Sequence, residues 1–438
     1  MDWIVVAITA ALGLYMAWNI GANDVANSMA DAVGSRSISI RKAIVAAGLC
    51  EFAGAVLVGS HVTETVRKGI VSPEALGMIP GLAPGDAAVL MVLGMACALL
   101  SAAIWLNVAT SLGMPVSTTH SIVGAVAGFG VVAAGWSAVH WGKMGEIVAS
   151  WFISPVAGGL LAFVIFKLLG RSILGQERPV AAARRYAPLV VFFTAFVVTL
   201  ATLYKGLPSL VQRAQWIAGP AAICISLGVG LISSIVSRAL ILRKLDKCET
   251  LPLGEQLERV ERMFAPLVIT TACCVAFSHG ANDVANAVGP LAAVADIAGS
   301  GTIKMEVSVP LWILALGGAG ITLGLATFGY RVMRTVGEGI TQITPSRGVA
   351  ADLATTVTVL ACSRLGLPVS TTHTLVGAIL GVGLARGLGA VNKQVMRNIF
   401  GSWLITVPAA AGISIVLFLL SRFFLFDLLR RLILGNAG

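Results

Sequence analysis

The chain has 438 residues, of which 57% are hydrophobic and 11% charged, with a formal net charge of +10. A soluble globular domain carries roughly 25% charged residues, so this sequence has too little polar surface to face water. Its apolar runs are continuous and rich in Ala, Gly, Leu and Val, which excludes the short alternating segments of a β-barrel and predicts helices crossing about 30 Å of hydrocarbon. The class is an all-α polytopic membrane protein. The basic excess sits mostly in connecting loops, where it reads as orientation by the positive-inside rule and not as nucleic-acid binding. Seven cysteines lie mostly in apolar runs without metal-ligand spacing, and an odd number argues against a disulfide framework.

Residues 3–20 have no basic n-region before them and predict a retained first helix. They run into Gly21-Ala22-Asn23-Asp24-Val25-Ala26-Asn27, which is expected to loosen or break the helix inside the membrane. A basic loop (Arg36, Arg41, Lys42) and a second span at 43–66 follow, the span carrying one embedded acid, Glu51. A more acidic loop (Glu64, Glu74, Asp86) is broken by Pro73, Pro80 and Pro84. Apolar segments 87–110 and 116–135 are separated only by 111–115, which favours a re-entrant hairpin with Ser117, Thr118 and Thr119 opening its second arm, where backbone N–H groups are unpaired. Then come a span at 145–168, a basic loop at 167–185, spans at 187–204 and 216–237, and a hydrophilic stretch at 238–262 whose end reads as a short amphipathic helix.

From 264 the pattern restarts. The seven-residue motif returns unchanged at 280–286, and Leu112-Gly113-Met114-Pro115-Val116-Ser117-Thr118-Thr119-His120 returns as Leu365-Gly366-Leu367-Pro368-Val369-Ser370-Thr371-Thr372-His373. Between them lie a connector (Asp296, Lys304, Glu306), a span at 309–330 and a basic loop (Arg331, Arg334, Arg347). The second hairpin is expected at 350–385, then a basic loop (Arg386, Lys393, Arg397), a last span at 399–421 and a basic tail lying on the surface. Counting hairpin arms gives about twelve segments. The basic loops then fall on one side, which makes that side cytoplasmic and both termini external. Residues 1–170 and 264–438 become inverted repeats joined by 171–263, an arrangement that puts a transport site near the midplane.

Asp24 and Asp283 lie in apolar runs, where a carboxylate is a functional-site candidate by default. No basic residue stands beside either in sequence, so a bound cation is the natural partner. Asn23, Asn27, Asn282 and Asn286 would add neutral oxygens, and backbone unwound at the glycines would add carbonyls. The hydroxyls of Ser117, Thr118, Thr119, Ser370, Thr371 and Thr372, with the free N–H groups of two helix starts, suit a tetrahedral oxyanion; plain helix capping is the blander reading. Cations between the aspartates would remove their repulsion of the anion and so couple the two. Glu51 and Asp352 each lack a counterpart in the other half and read as further coupling groups or as protonated structural acids. His279 stands where the first half has Ile20, a proton-sensitive asymmetry. His120 and His373 read as braces of the hairpins, Arg364 as a weak candidate for attracting the anion, and Trp136, Trp141 and Trp151 as interface markers.

At these motifs the chain resembles the PiT family of inorganic phosphate transporters, across nearly its whole length. The resemblance implies Na⁺-coupled phosphate uptake by alternating access, no enzymatic activity, two hairpins, and a homodimer in the cell membrane. Asp24 and Asp283 match that family's paired aspartates, Ser117 and Ser370 its hairpin serines, and Glu51 its glutamate after the first motif. Asp352 stands where relatives can carry glutamate, and Met29-Ala30-Asp31 departs from a more usual Phe-Gly-Thr run. H⁺ coupling and a sulfate permease are the neighbouring readings. An intramembrane aspartyl protease, which needs two carboxylates sharing a proton, would leave the hydroxyl tips without a role.

Overall fold

A computed structural model describes residues 3–59, 70–83, 85–206, 220–245, 248–303, 307, 309–364 and 369–435. The expectations for Glu64, Pro84, Lys304, Glu306, the start of the 216–237 span, the end of the 43–66 span and the 365–368 turn lie outside the described residues, as does the side chain of Arg364. Among the described residues the regular structure is helical, apart from one isolated bridge between Val71 and Val139. Helices leave no backbone group unpaired in lipid, which is why continuous apolar runs resolve this way.

Thirteen helices carry the argument. They are α1 (Trp3–Asp24), α2 (Ala26–Gly34), α3 (Ile40–Val58), α4 (Asp86–Ser111), α5 (Thr118–Ala134), α6 (Trp141–Leu169) and α7 (Pro179–Ala201). The rest are α8 (Pro220–Lys244), α9 (Leu253–Ser300), α10 (Leu311–Thr327), α11 (Pro345–Arg364), α12 (Thr371–Arg386) and α13 (Lys393–Leu434). Among the described residues seven helical stretches are long and apolar enough to span, or eight if α10 and the 330–339 segment bent from it by 56° form one span. The seven include the first hairpin arm α4, while the second arms α5 and α12, of 17 and 16 residues, are shorter than a full span.

The halves exchange partners. α1 of the first half packs on α10 of the second, and α9 of the second packs on α3 of the first. Glycines permit both crossings. A Cβ at Gly21 would lie 2.6 Å from the Ile321 carbonyl carbon, and one at Gly280 would lie 2.6 Å from that of Glu51. Small residues at such crossings let backbones approach closely, the main source of packing energy between helices in lipid. The second arms behave alike, α12 packing on α6 and α5 on α13.

The expected break is present at the first motif and absent at the second. At the first motif the helix is interrupted only at Val25, which keeps right-handed helical angles. At the second, α9 runs unbroken for 48 residues through Gly280-Ala281-Asn282-Asp283-Val284-Ala285-Asn286. In α9 the glycine serves helix crossing, so the backbone carbonyls of the second motif stay in the helical ladder and are not freed as ligands. The tail differs too: α13 continues as one helix to Leu434, where Arg430 pairs with Asp86 (2.8 Å). The 255–262 stretch is likewise the first turns of α9 rather than a separate helix.

Candidate functional site

α1, α3 and α9 meet at three buried acids. His279 of α9, itself buried, stands among them: its Nε2 is 3.0 Å from Asp283 Oδ2 and 3.5 Å from Asp24 Oδ2, and its Nδ1 is 3.2 Å from Glu51 Oε1. All three contacts are within ion-pair distance, yet neither ring nitrogen is aligned for a hydrogen bond. In sequence His279 stands one helical turn before Asp283, and the fold brings it to Asp24 and Glu51 as well. The Gly280 crossing is what brings Glu51 of α3 to His279, so an acid without a sequence counterpart joins the cluster.

The acids keep acceptors to spare. Asp24 Oδ1 accepts from Asn27 Nδ2 (2.8 Å) and Thr372 Oγ1 (3.1 Å), but Asp24 Oδ2, Asn27 Oδ1 and Glu51 Oε2 receive no donor. Ser28, which follows the first motif, reaches Glu51 Oε1 at 3.5 Å. Buried oxygens without donors are rare in folded proteins and call for a partner. Carboxylate and amide oxygens form the donor set that hard cations prefer. Ligand atoms of Asp24, His279 and Asp283 all lie within 4.8 Å of one another, close enough to hold one ion.

The hydroxyl tips reach this cluster crosswise. Asn27 of the first half donates to Thr372 of the second (2.8 Å), and Asn286 of the second donates to Thr118 (3.4 Å) and Thr119 (3.2 Å) of the first. Ser117 and Ser370 are N-caps of α5 and α12, their Oγ atoms accepting from His120 N (3.2 Å) and His373 N (3.3 Å). Capping uses the acceptor of each serine and leaves its O–H free to point elsewhere.

A cavity of about 50 Å³ opens beside the second tip, lined among others by Asn27, His279, Asn282, Thr355 and Thr371. A space of that size holds a few waters or one small ion. Val198, Ala201 and Thr202 of the connecting region complete its wall, a contribution that nothing in the motifs signals. Asn23 is placed differently. Its amide donates to Thr110 Oγ1 (2.9 Å) and Met114 O (3.0 Å), and its Oδ1 accepts from Val116 N (3.0 Å). Those three bonds hold the first tip in place. Asp352 lies away from the histidine, on α11 against Thr271.

Behind the tips the two motif histidines meet edge to face with ring centroids 4.9 Å apart. Trp403 stacks on His373 (3.7 Å) and donates to Pro115 O (3.0 Å), while Trp151 leans on His120 (5.0 Å). Trp151 thus faces inward, unlike the exposed stacked pair Trp136 and Trp141.

Comparison with known proteins places this arrangement. The profile of the phosphate transporter family matches residues 20–414, from the first motif to beyond the second hairpin. The chain belongs to that family. The Pyrococcus abyssi protein named "Putative phosphate permease" is 46% identical over 94% of this chain and 96% of its own length. The chloroplastic inorganic phosphate transporter 2-1 of Arabidopsis thaliana is 40% identical over 93% of this chain and 70% of its own. A solved sodium-dependent phosphate transporter superposes with a TM-score of 0.82 at 41% identity, covering 96% of this chain and all of that one. The family is one of transporters and not of enzymes, which removes the aspartyl protease reading.

Proposed function

We propose that this phosphate transporter is a Na⁺-coupled symporter, in which sodium at the acid cluster creates the site for inorganic phosphate. The observation that carries this is the set of buried oxygens without donors: Asp24 Oδ2, Asn27 Oδ1 and Glu51 Oε2. Asp24 and Asp283 hold the cation, with Asn27, Asn286 and Asn282 near it and Glu51 completing the charge. Phosphate binds at the starts of α5 and α12, between Ser117, Thr118 and Thr119 and Ser370, Thr371 and Thr372. Helix N-termini favour anions there. Asn23 acts through the first tip, which it braces, and Asn282 from the cavity wall.

The wider reading follows the same symmetry. The halves are inverted repeats that rock about the shared site, and α4–α5 and α11–α12 are re-entrant hairpins. Basic loops face the cytoplasm of a cell membrane, both termini lie outside, and two copies form a dimer. The crosswise contacts of Asn27 and Asn286 support the repeat relation.

A proton-coupled variant has one observation in its favour, namely His279 among three acids. Sulfate offers the same tetrahedral shape. Labelled phosphate uptake into proteoliposomes, with and without an inward Na⁺ gradient at fixed pH, separates these readings. Sodium-dependent uptake, lost in Asp24→Asn and Asp283→Asn and blocked by arsenate but not sulfate, is the expected result. Uptake that ignores Na⁺ and follows the pH gradient defeats the sodium reading.

A further inference from the structure

A second pair of acids lies apart from the histidine cluster. Asp31 of α2 and Asp352 of α11 are both 1% exposed, and the two helices pack on each other. Asp31 Oδ1 accepts from Ala32 N (2.8 Å), and Asp352 Oδ2 accepts from Thr271 Oγ1 of α9. The remaining oxygens, Asp31 Oδ2 and Asp352 Oδ1, receive no donor. Gly348 stands one turn before Asp352, and a Cβ built on it would lie 3.4 Å from Asp31 Oδ2, ordinary contact distance, which sets Asp31 against this part of α11. Among the described residues the Cys274 thiol of α9 faces Asp352. Among the described residues α6, α7 and α12 bring no lysine, arginine or histidine to it.

We infer that Asp31 and Asp352 form a proton site of their own, with a single proton held between Asp31 Oδ2 and Asp352 Oδ1. Two adjacent carboxylates in a dry interior cannot both stay ionised. A cationic side chain or one proton relieves the repulsion, and no such side chain is at hand. The proton also makes a hydrogen bond that ties α2 of the first half to α11 of the second. Its route is visible as well. Thr355 and Thr356, a turn further along α11, line the cavity beside His279, as does Cys274. Asp31 is seven residues beyond Asp24, roughly 10 Å along a helix, towards the loop carrying Arg36, Arg41 and Lys42. The site therefore lies between the acid cluster and the basic loops, and its occupant is independent of which ion drives transport.

Infrared difference spectroscopy of the purified full chain tests this without a transport assay. At pH 7 the wild type minus Asp31→Asn spectrum should show loss of one protonated-carboxyl stretch, and so should wild type minus Asp352→Asn. In each variant the new amide supplies the missing hydrogen bond, and the remaining carboxylate stays ionised. The double variant should lose the same single band. Retention of the band in either single variant, or loss of two bands in the double, overturns the shared proton. The wild type gives a test free of any folding defect. Replacing K⁺ by Na⁺ should leave its band in place, and Na⁺ erasing it would show that the pair is a cation site instead.

Discussion

Gly280→Ala tests whether the crossing of α3 and α9 sets the site. The added Cβ would sit 2.6 Å from both the carbonyl carbon and Cα of Glu51, which are backbone atoms that cannot rotate away. The Glu51 carbonyl oxygen is nearer still, at 2.1 Å, and ordinary contact begins at 3.4 Å, so the helices must part by about 1.3 Å. Overpacking of this kind costs about 1–3 kcal/mol, and backbone against backbone belongs at the upper end. The same displacement lengthens the 3.2 Å approach of Glu51 to His279. If about 1.4 kcal/mol of the cost appears as weaker ion binding, uptake at subsaturating sodium falls roughly tenfold. The assay is sodium-dependent phosphate uptake in proteoliposomes, with thermal unfolding of the same preparations. Gly228→Ala on α8 is the control: nothing lies within 4 Å of its added Cβ, so uptake should be unchanged. Wild-type uptake and sodium dependence in Gly280→Ala would refute the reasoning.

Thr372→Val removes the hydroxyl that donates to Asp24 and accepts from Asn27. A hydrogen bond to a charged group is worth about 1.5–3 kcal/mol, so half-maximal sodium should rise at least tenfold in a titration of uptake against Na⁺. Asn23→Ala frees the first tip from three bonds; the expected result is a raised KM for phosphate, with sodium affinity changed less. Glu249→Ala breaks a part-exposed pair with Arg184 and should alter stability by no more than about 1 kcal/mol, with uptake unaffected.

The membrane class was readable because apolar runs have one stable solution in lipid. The duplicated motifs were readable because a carboxylate there needs a reason. Partners across the fold were not. His279 looked like a lone departure from Ile20, and only the α3–α9 crossing shows it facing Glu51. Gly21 and Gly280 looked like helix breakers because glycine lowers helix propensity; close approach of another backbone is an equal use of the missing Cβ, and sequence does not separate the two. Asn23 and Asn27 are alike in composition and spacing. One braces a turn and the other bridges Asp24 to Thr372, a difference set by which face of α1 and α2 each occupies. Ser28 and Thr110 carried a weak signal, each being a hydroxyl next to a motif. Asp31 was visible only as a departure from a pattern, since its partner is 321 positions away.

The charge inventory of the cluster fixes an order of binding that can be tested. Asp24, Glu51 and Asp283 face one imidazole, so with the acids ionised the cluster stays negative even when His279 is protonated. A phosphate dianion about 6 Å from one uncompensated carboxylate is repelled by roughly 5 kcal/mol at an effective dielectric of 20. Hydroxyls and helix starts at about 1 kcal/mol each do not readily offset that for two or three acids. In the sodium-coupled mechanism proposed above, sodium therefore precedes phosphate on the side from which both enter. Equilibrium binding of labelled phosphate to the purified protein should be undetectable in K⁺ and should appear as Na⁺ is added. The gain should shrink in Asp283→Asn, where one source of repulsion is gone and phosphate binds partly without sodium. Equal phosphate affinity in K⁺ and Na⁺ for the wild type would mean that the acids do not face the anion, and the coupling would have to arise elsewhere in the fold.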